Sequence, residues 1–254
     1  MSSRKLSRGI AAAVALGALA ACADVVDPAL LSDPELSRDL AVSSADAVAQ
    51  DVAEMIANEA FGGFAPAASP GEGTAPHELT VTRSRTCYDA NGVEQAECSR
   101  ETTASMRIQV TMDGTHQREN FSAIVHRTRN MLITGLLGQE TSRTHNGVGT
   151  SNDTTTFSRD GRTRKVAESS TDSTVNVVFN LPHETNPWPV SGQIIRNVSA
   201  VITVTSGDQS ESRTVTRRVV VTFPADAQGN VTIQINDVSC TLNLVTRRVG
   251  SCTG

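Results

Sequence analysis

The residues of this chain that are most able to do chemistry are its five cysteines. Cys22 stands alone, and the others form two spaced pairs, Cys87 with Cys98 and Cys240 with Cys252. Four cysteines allow three pairings, and we favour the two local disulfides because each pair brackets a turn-like stretch of a hairpin. Zinc knuckles leave roughly two to four residues between ligands, and redox centres use C-x-x-C, so this spacing favours neither a metal site nor a redox site.

Residues 1–22 have the layout of an export signal. Three basic residues between positions 4 and 8 precede an apolar run, residues 9–21, that is too short to span a bilayer as a helix. The run ends in Leu19-Ala20-Ala21-Cys22. This ending resembles the lipobox of bacterial lipoproteins, in which the cysteine thiol receives a diacylglycerol before cleavage. An ordinary signal peptide with a chance cysteine is the alternative.

The resemblance implies a location and a partner. Residues 1–21 would be removed, and acyl chains on Cys22 would anchor the mature chain in a membrane, since each buried CH₂ contributes about 0.8 kcal/mol. In the enterobacterial sorting pattern, an aspartate directly after the cysteine retains the protein at the inner membrane. Ala23 follows Cys22 here, which implies the outer membrane, facing the periplasm or the cell surface. The whole chain resembles uncharacterised envelope lipoproteins, a resemblance that implies no activity and no cofactor.

Charge and composition limit the possible partners and indicate the architecture. The formal net charge of -5 lacks the basic excess that a phosphate backbone requires, so a nucleic-acid partner is not expected. Alanine is abundant and threonine absent in residues 1–73, whereas threonine is common after residue 73. Alanine favours helices and threonine favours strands, so a helical N-terminal portion and a β-rich body are expected.

We therefore predict four segments. Residues 1–21 form a signal peptide, 22–61 a lipidated acidic helical stem, 62–76 a flexible linker, and 77–254 an antiparallel β domain. The stem helix has a start signal at Ser32-Asp33-Pro34-Glu35, and Ser43 offers a second start. Its apolar stripe is of the kind that packs on a sheet, and consists of Leu36, Leu40, Val48, Val52 and Ile56.

Apolar residues alternate along much of the β domain. Three such rows are Val175, Val177, Phe179 and Leu181; Val215, Val219, Val221 and Phe223; and Val231, Ile233 and Ile235. Hairpin signals lie between the rows, at Asn91-Gly92, Asp113-Gly114, Asn146-Gly147, Asp160-Gly161, Gly207-Asp208 and Gly229-Asn230. The pattern predicts a mainly β protein with a long antiparallel meander of about nine to twelve strands, either a curved half-barrel or a two-layer sandwich.

Two stretches depart from this alternation. Residues 131–137 are almost continuously apolar, as in a strand buried on both sides, and a pocket for a hydrophobic ligand is the alternative. The loop around His183 and Trp188 holds the only tryptophan of the chain. Loop aromatics can contact a partner or ligand, whereas many cover the open end of a sheet.

Catalytic motifs do not emerge from the sequence. His183-Glu184 lacks the second histidine of a metalloprotease helix, because Pro187 stands at that position. Gly147-Val148-Gly149 lacks the third glycine and the helix of a dinucleotide loop, and is interpreted as a turn. Neither a metal site nor a bound cofactor is predicted.

Three functions remain. The first is a non-catalytic interaction or structural role in the cell envelope, with another envelope protein as partner. The second is a binding module that holds a lipid or other apolar ligand in a curved sheet. The third is a hydrolase whose site is assembled from dispersed residues. The first is preferred, since the sequence supplies an anchor and a β body without a catalytic constellation.

Overall fold

The structure is a computed structural model, and it describes residues 33–60, 77–118, 120–159 and 161–253. The predicted signal peptide, Cys22 and the linker at 62–76 lie outside the described residues. One helix, α1, spans Asp33–Ala60. The strands are β1 His77–Tyr88, β2 Glu94–Gln95, β3 Ser105–Arg118, β4 Phe121–Thr134, β5 Ser142–Arg159, β6 Arg162–Asn180, β7 Ser191–Ser206, β8 Gln209–Thr222, β9 Asn230–Ile235, β10 Val238–Asn243 and β11 Arg248–Thr253.

All eleven strands belong to a single open sheet with the order β11-β10-β9-β8-β7-β6-β5-β4-β3-β1-β2. Every pairing is antiparallel, and from β3 to β11 each strand pairs with its neighbour in sequence. The prediction of a mainly β protein with an antiparallel meander is confirmed. The strands form one sheet, so the two-layer sandwich is not the arrangement that the chain adopts.

Two of the six hairpin signals were wrong. Asp113-Gly114 lies within β3, and Asn146-Gly147 lies within β5. Asn-Gly and Asp-Gly favour a two-residue turn, but long flanking strands that pair on both sides override this local preference. Gly147 and Gly149 are therefore strand residues, and the interpretation of Gly147-Val148-Gly149 as a turn is corrected.

The helix α1 packs into the sheet. Leu40, Val48 and Val52 are buried in the main core together with apolar residues of β6 to β10. Ser44 and Ala47 are also buried, so this part of the helix is covered on several sides. A separate helical stem at residues 22–61 is not confirmed, because the described helix is an integral part of the core rather than a spacer.

Two disulfides connect the local pairs that the spacing favoured. Cys87 at the end of β1 is bonded to Cys98, with 5.5 Å between their Cα atoms. Cys240 of β10 is bonded to its cross-strand partner Cys252 of β11, with 4.0 Å between their Cα atoms. Disulfides persist in oxidising compartments, so the two disulfides indicate an exported protein. No helix in the described part of the chain has the length and apolarity that crossing a bilayer requires.

Candidate functional site

The strand register assigns each side chain to one of two faces of the sheet. Residues directly opposite each other on neighbouring strands point to the same face. One row runs through Arg129, Gly149, Asp172 and Arg196 on β4 to β7, and lies on the side that contacts α1. We call this side the helix face. We call the opposite side, which carries the alternate residues, the open face.

Arg196 is a fully buried cation on the helix face. Its side chain is 1% exposed, and its Nε donates to Asp172 Oδ1 over 2.9 Å. Its Nη2 donates to Glu168 Oε1 over 3.2 Å and to Ser170 Oγ over 2.9 Å. A buried charge is stable only when it is paired and hydrogen-bonded, so the two carboxylates of β6 hold this guanidinium in place.

Arg129 extends the network to the helix. Its Nη1 lies 3.3 Å from Asp172 Oδ2, and its Nη2 forms an ion pair with Asp51 Oδ1 of α1. Ser43, two turns earlier in α1, donates to Glu168 Oε2 over 2.8 Å. The helix is thus fastened to the sheet by apolar packing and by a charged cluster, which comprises Asp51, Arg129, Glu168, Asp172 and Arg196.

Glycine at position 149 makes room for the charged cluster. A Cβ atom at Gly149 would lie 2.9 Å from Nη1 of Arg129 and 2.8 Å from the carbonyl oxygen of Thr128. Such contacts are too short for a side chain, so the guanidinium can cross β5 only where the chain has no Cβ. A Cβ atom at Gly147 would similarly meet the sulfur of Met131. The two glycines let long side chains of β4 lie across β5 on the helix face.

Burial changes the titration of Asp51. The loss of water around its carboxylate raises its pKa from 3.8 to about 7, against the opposing effect of Arg129 and Arg196. Asp172 and Glu54 raise the pKa further through their negative charges. Asp51 therefore titrates near neutral pH although it contacts an arginine.

A second ion pair lies beside the cluster. Arg127 donates from Nε and Nη2 to Asp153 Oδ2, over 2.9 and 2.6 Å, and from Nη1 to Gln50 Oε1 over 2.9 Å. A cavity of about 10 Å³ separates α1 from β3 and β4 here, lined on the helix side by Gln50, Asp51 and Glu54. This volume is close to the minimum that a single water molecule needs.

The open face carries a groove of about 600 Å³. It crosses β1, β3, β4, β5 and β6, so it is about 19 Å wide at roughly 4.8 Å per strand interval. A row of directly opposite threonines runs across it. The open-face side chains that line the groove are Thr82, Ser84, Gln109, Thr111, Thr128, Asn130, Val148, Thr150, Thr171 and Ser173.

These lining side chains are hydroxyls and amides with one exposed valine, and none of them carries a charge. Arg129 and Asp172 border the groove along the chain, but their charged groups belong to the cluster on the helix face. An acyl chain in this groove would strip water from hydroxyls and amides without replacing their hydrogen bonds. The lining favours a partner that both donates and accepts hydrogen bonds.

An acid and a histidine lie beside the groove on the same face. Asp113 and His126 are directly opposite on β3 and β4, and Nδ1 of His126 contacts Oδ1 of Asp113. Both side chains are about half exposed. Within the described residues, the hydrogen bonds of His126 lead to Asp113 and, from its backbone, to Asp153. Within the described part of the chain, the hydrogen bonds of the His126 ring do not lead to a serine or threonine hydroxyl.

The loop residues that the sequence singled out are not at the groove. Trp188 is half-buried and packs against the main core, where Gly229 leaves space for its ring. The ring of His183 meets Phe179 edge-on, with 5.7 Å between the centroids. The structure therefore brings these two residues to the end of β6 and not to the groove or to the charged cluster.

The apolar stretch 131–137 is part of the sheet and its margin. Its first four residues end β4, and Ile133 and Leu136 are buried in a second core cluster with Cys87 and Met106. Packing in this cluster accounts for the apolar residues at positions 133 and 136, and Met131 packs against the main core. The described cavities at α1 and on the open face are not lined by residues 132–137.

Comparison with known proteins assigns no family to this fold. No protein-family model matches the chain, and no curated protein or solved structure matches it. The residues of the groove and of the charged cluster are therefore the basis on which a function can be proposed.

Proposed function

We propose that this protein is an exported, lipid-anchored envelope protein that acts without catalysis, by binding a partner protein on the open face of its sheet. The observation that carries the proposal is the uncharged groove of about 600 Å³ with its row of threonines. The two disulfides support export, and the lipobox resemblance at Cys22 supports the anchor. The anchor would be at the outer membrane, facing the periplasm or the cell surface.

A protein surface is the partner whose chemistry suits the groove. Hydroxyl and amide side chains pair with backbone and neutral polar groups, directly or through water, which is the usual chemistry of wet protein interfaces. A polyanion would find no lysine or arginine among the open-face lining residues, and a lipid would leave their hydroxyls without partners. The alternative of an apolar ligand is therefore less favoured than the interaction role.

The proposal includes a sheet that curves around α1, the half-barrel of the sequence prediction. Buried α1 residues on several sides of the helix support this shape. In a half-barrel the helix would occupy the concave side, where a carrier would hold its apolar ligand. The open face would then be the surface left for a partner.

The anchor is tested by replacing Cys22 with serine in the full chain. We expect the wild type to sediment with membranes and to carry acyl mass on residue 22, and Cys22→Ser to appear in the soluble exported fraction. The disulfide variant Cys87→Ala/Cys98→Ala is the control, since it removes cysteines without touching the anchor. Membrane retention of Cys22→Ser through detergent-free washing would refute the anchor.

The binding face is tested by photocross-linking in intact cells. A photoreactive residue at Thr150, in the groove, should give a discrete cross-linked product of the same partner in repeated experiments. The same residue at Ser212, exposed on the open face of β8 outside the groove, should not. The product from Thr150 should disappear when Thr128→Lys adds a charge to the groove. Equal products from both positions, or a product insensitive to Thr128→Lys, would contradict binding at the groove.

A further inference from the structure

The charged cluster under α1 contains one more acid than base. Asp51, Glu168 and Asp172 have side chains that are 5%, 6% and 2% exposed, and Arg129 and Arg196 have side chains that are 10% and 1% exposed. The neighbouring Arg127 and Asp153 compensate each other. With every group ionised, the cluster would hold one uncompensated negative charge away from water, which is costly.

One proton would neutralise this excess, and the contacts indicate which carboxylate takes it. Both oxygens of Glu168 accept hydrogen bonds, from Arg196 and from Ser43. Oδ1 of Asp172 accepts two, and its Oδ2, which accepts none, lies 3.3 Å from Nη1 of Arg129, so Asp172 faces two arginines. Oδ2 of Asp51 is buried and accepts none. Asp51 is therefore the acid whose charge is least compensated.

The groups that face Asp51 come from five elements. They are Arg127 and Arg129 of β4, Asp153 of β5, Glu168 and Asp172 of β6, Arg196 of β7, and Glu54 of α1 itself. The nearest cation, Arg129, is shared between Asp51 and Asp172. Burial raises the pKa of Asp51 to about 7; Arg129 and Arg196 oppose this rise, and Asp172 and Glu54 add to it.

We propose that Asp51 makes the attachment of α1 to the sheet proton-sensitive. With a proton on Asp51 the cluster is neutral and α1 is held firmly against β3 and β4. Without it, the excess charge draws water into the adjoining cavity of about 10 Å³, and the helix around Asp51 separates from the sheet more often.

The direction in which pH changes the attachment of α1 follows from proton linkage. The attached form holds a proton on Asp51 up to a pKa of about 7, whereas a detached, solvated aspartate loses it near 3.8. Between these values the attached form binds more protons, so attachment weakens as pH rises. The extra stability that the proton gives to the attached helix is fully present below pH 4 and is lost as pH rises to about 7. Above pH 7 the equilibrium between attached and detached helix no longer depends on pH.

Amide hydrogen exchange of the folded protein measures this opening. After correction for the intrinsic rate, protection of the α1 amides between residues 44 and 56 should fall about tenfold per pH unit from pH 5 to 7, and should level off above pH 7. Amides in the middle of β7 and β8 should not follow this profile.

The variant Asp51→Asn mimics the protonated form at every pH. Its α1 protection should be independent of pH, and at pH 8 it should equal or exceed that of the wild type. Glu54→Gln, one turn later on α1 and beside the same cavity, is the comparison. It removes a negative charge that raises the pKa of Asp51, so it should keep the pH-dependent profile with a plateau that begins at a somewhat lower pH. A lower protection of Asp51→Asn at pH 8, a failure of this variant to fold, or an unchanged pH profile would each overturn the proposal.

Discussion

Replacing Arg196 with methionine should lower the free energy of unfolding by about 3–5 kcal/mol, because the substitution leaves Asp172 and Glu168 buried without their main cation. Methionine keeps much of the volume of the arginine side chain. The loss of stability is therefore due to the missing charge rather than to a cavity. Urea unfolding at pH 7 would measure it. Arg217→Met is the matched control, on the helix face of β8, where the arginine is half-buried and should cost about 1 kcal/mol or less.

A triple variant separates the cost of the buried charges from the value of the network. Adding Asp172→Asn and Glu168→Gln to Arg196→Met removes the acids that the single substitution strands. Buried ion pairs are often no more stabilising than neutral groups of similar size, so the triple variant should recover part of the lost stability. A triple variant that is less stable than Arg196→Met would show that the carboxylates contribute chiefly through other partners.

Removing the disulfide between Cys240 and Cys252 should lower the free energy of unfolding by about 3 kcal/mol. The reason is that the disulfide closes a short loop and so restricts the unfolded chain, and this restriction is lost. Cys240 lies in the main core, and β11 contacts α1. The double variant Cys240→Ala/Cys252→Ala should therefore also increase hydrogen exchange in α1.

The other disulfide provides the comparison. Cys87 lies in the second core cluster, next to β3 and β4. Cys87→Ala/Cys98→Ala should cost a similar amount in urea unfolding while leaving exchange at Val48 and Val52 of α1 unchanged. If both double variants affected these α1 amides equally, the two ends of the sheet would be more tightly coupled than their separate cores indicate.

The alternation of apolar residues in the sequence predicts most of the sheet, but a bulge in β6 interrupts the predicted pattern of burial. Val177 and Phe179 are buried as expected, but Val175 of the same row is 40% exposed. The ladder between β6 and β7 shifts at this point, and Asn176 has a φ of 48°. A bulge moves one residue to the other face and reverses the alternation beyond it, and nothing in the side-chain pattern marks its position.

The charged cluster was missed for a different reason. Arg196 occupies an inward position between Ile194 and Val198, so the alternation itself marks it as a buried cation. Its partners Asp172 and Asp51 are on another strand and on the helix, and their approach depends on the register of the whole sheet. The groove is likewise formed by threonines far apart in sequence, each of which alone is an ordinary solvated strand residue.

The order of the strands also has a consequence for how the chain acquires its structure after secretion. From β3 to β11 each strand pairs with the one synthesised just before it. A polypeptide that crosses a membrane from its N-terminus can therefore add hairpins one at a time, without waiting for distant segments. The helix α1 contacts β11 as well as the middle of the sheet, so it can complete its packing only after the last strand has been added.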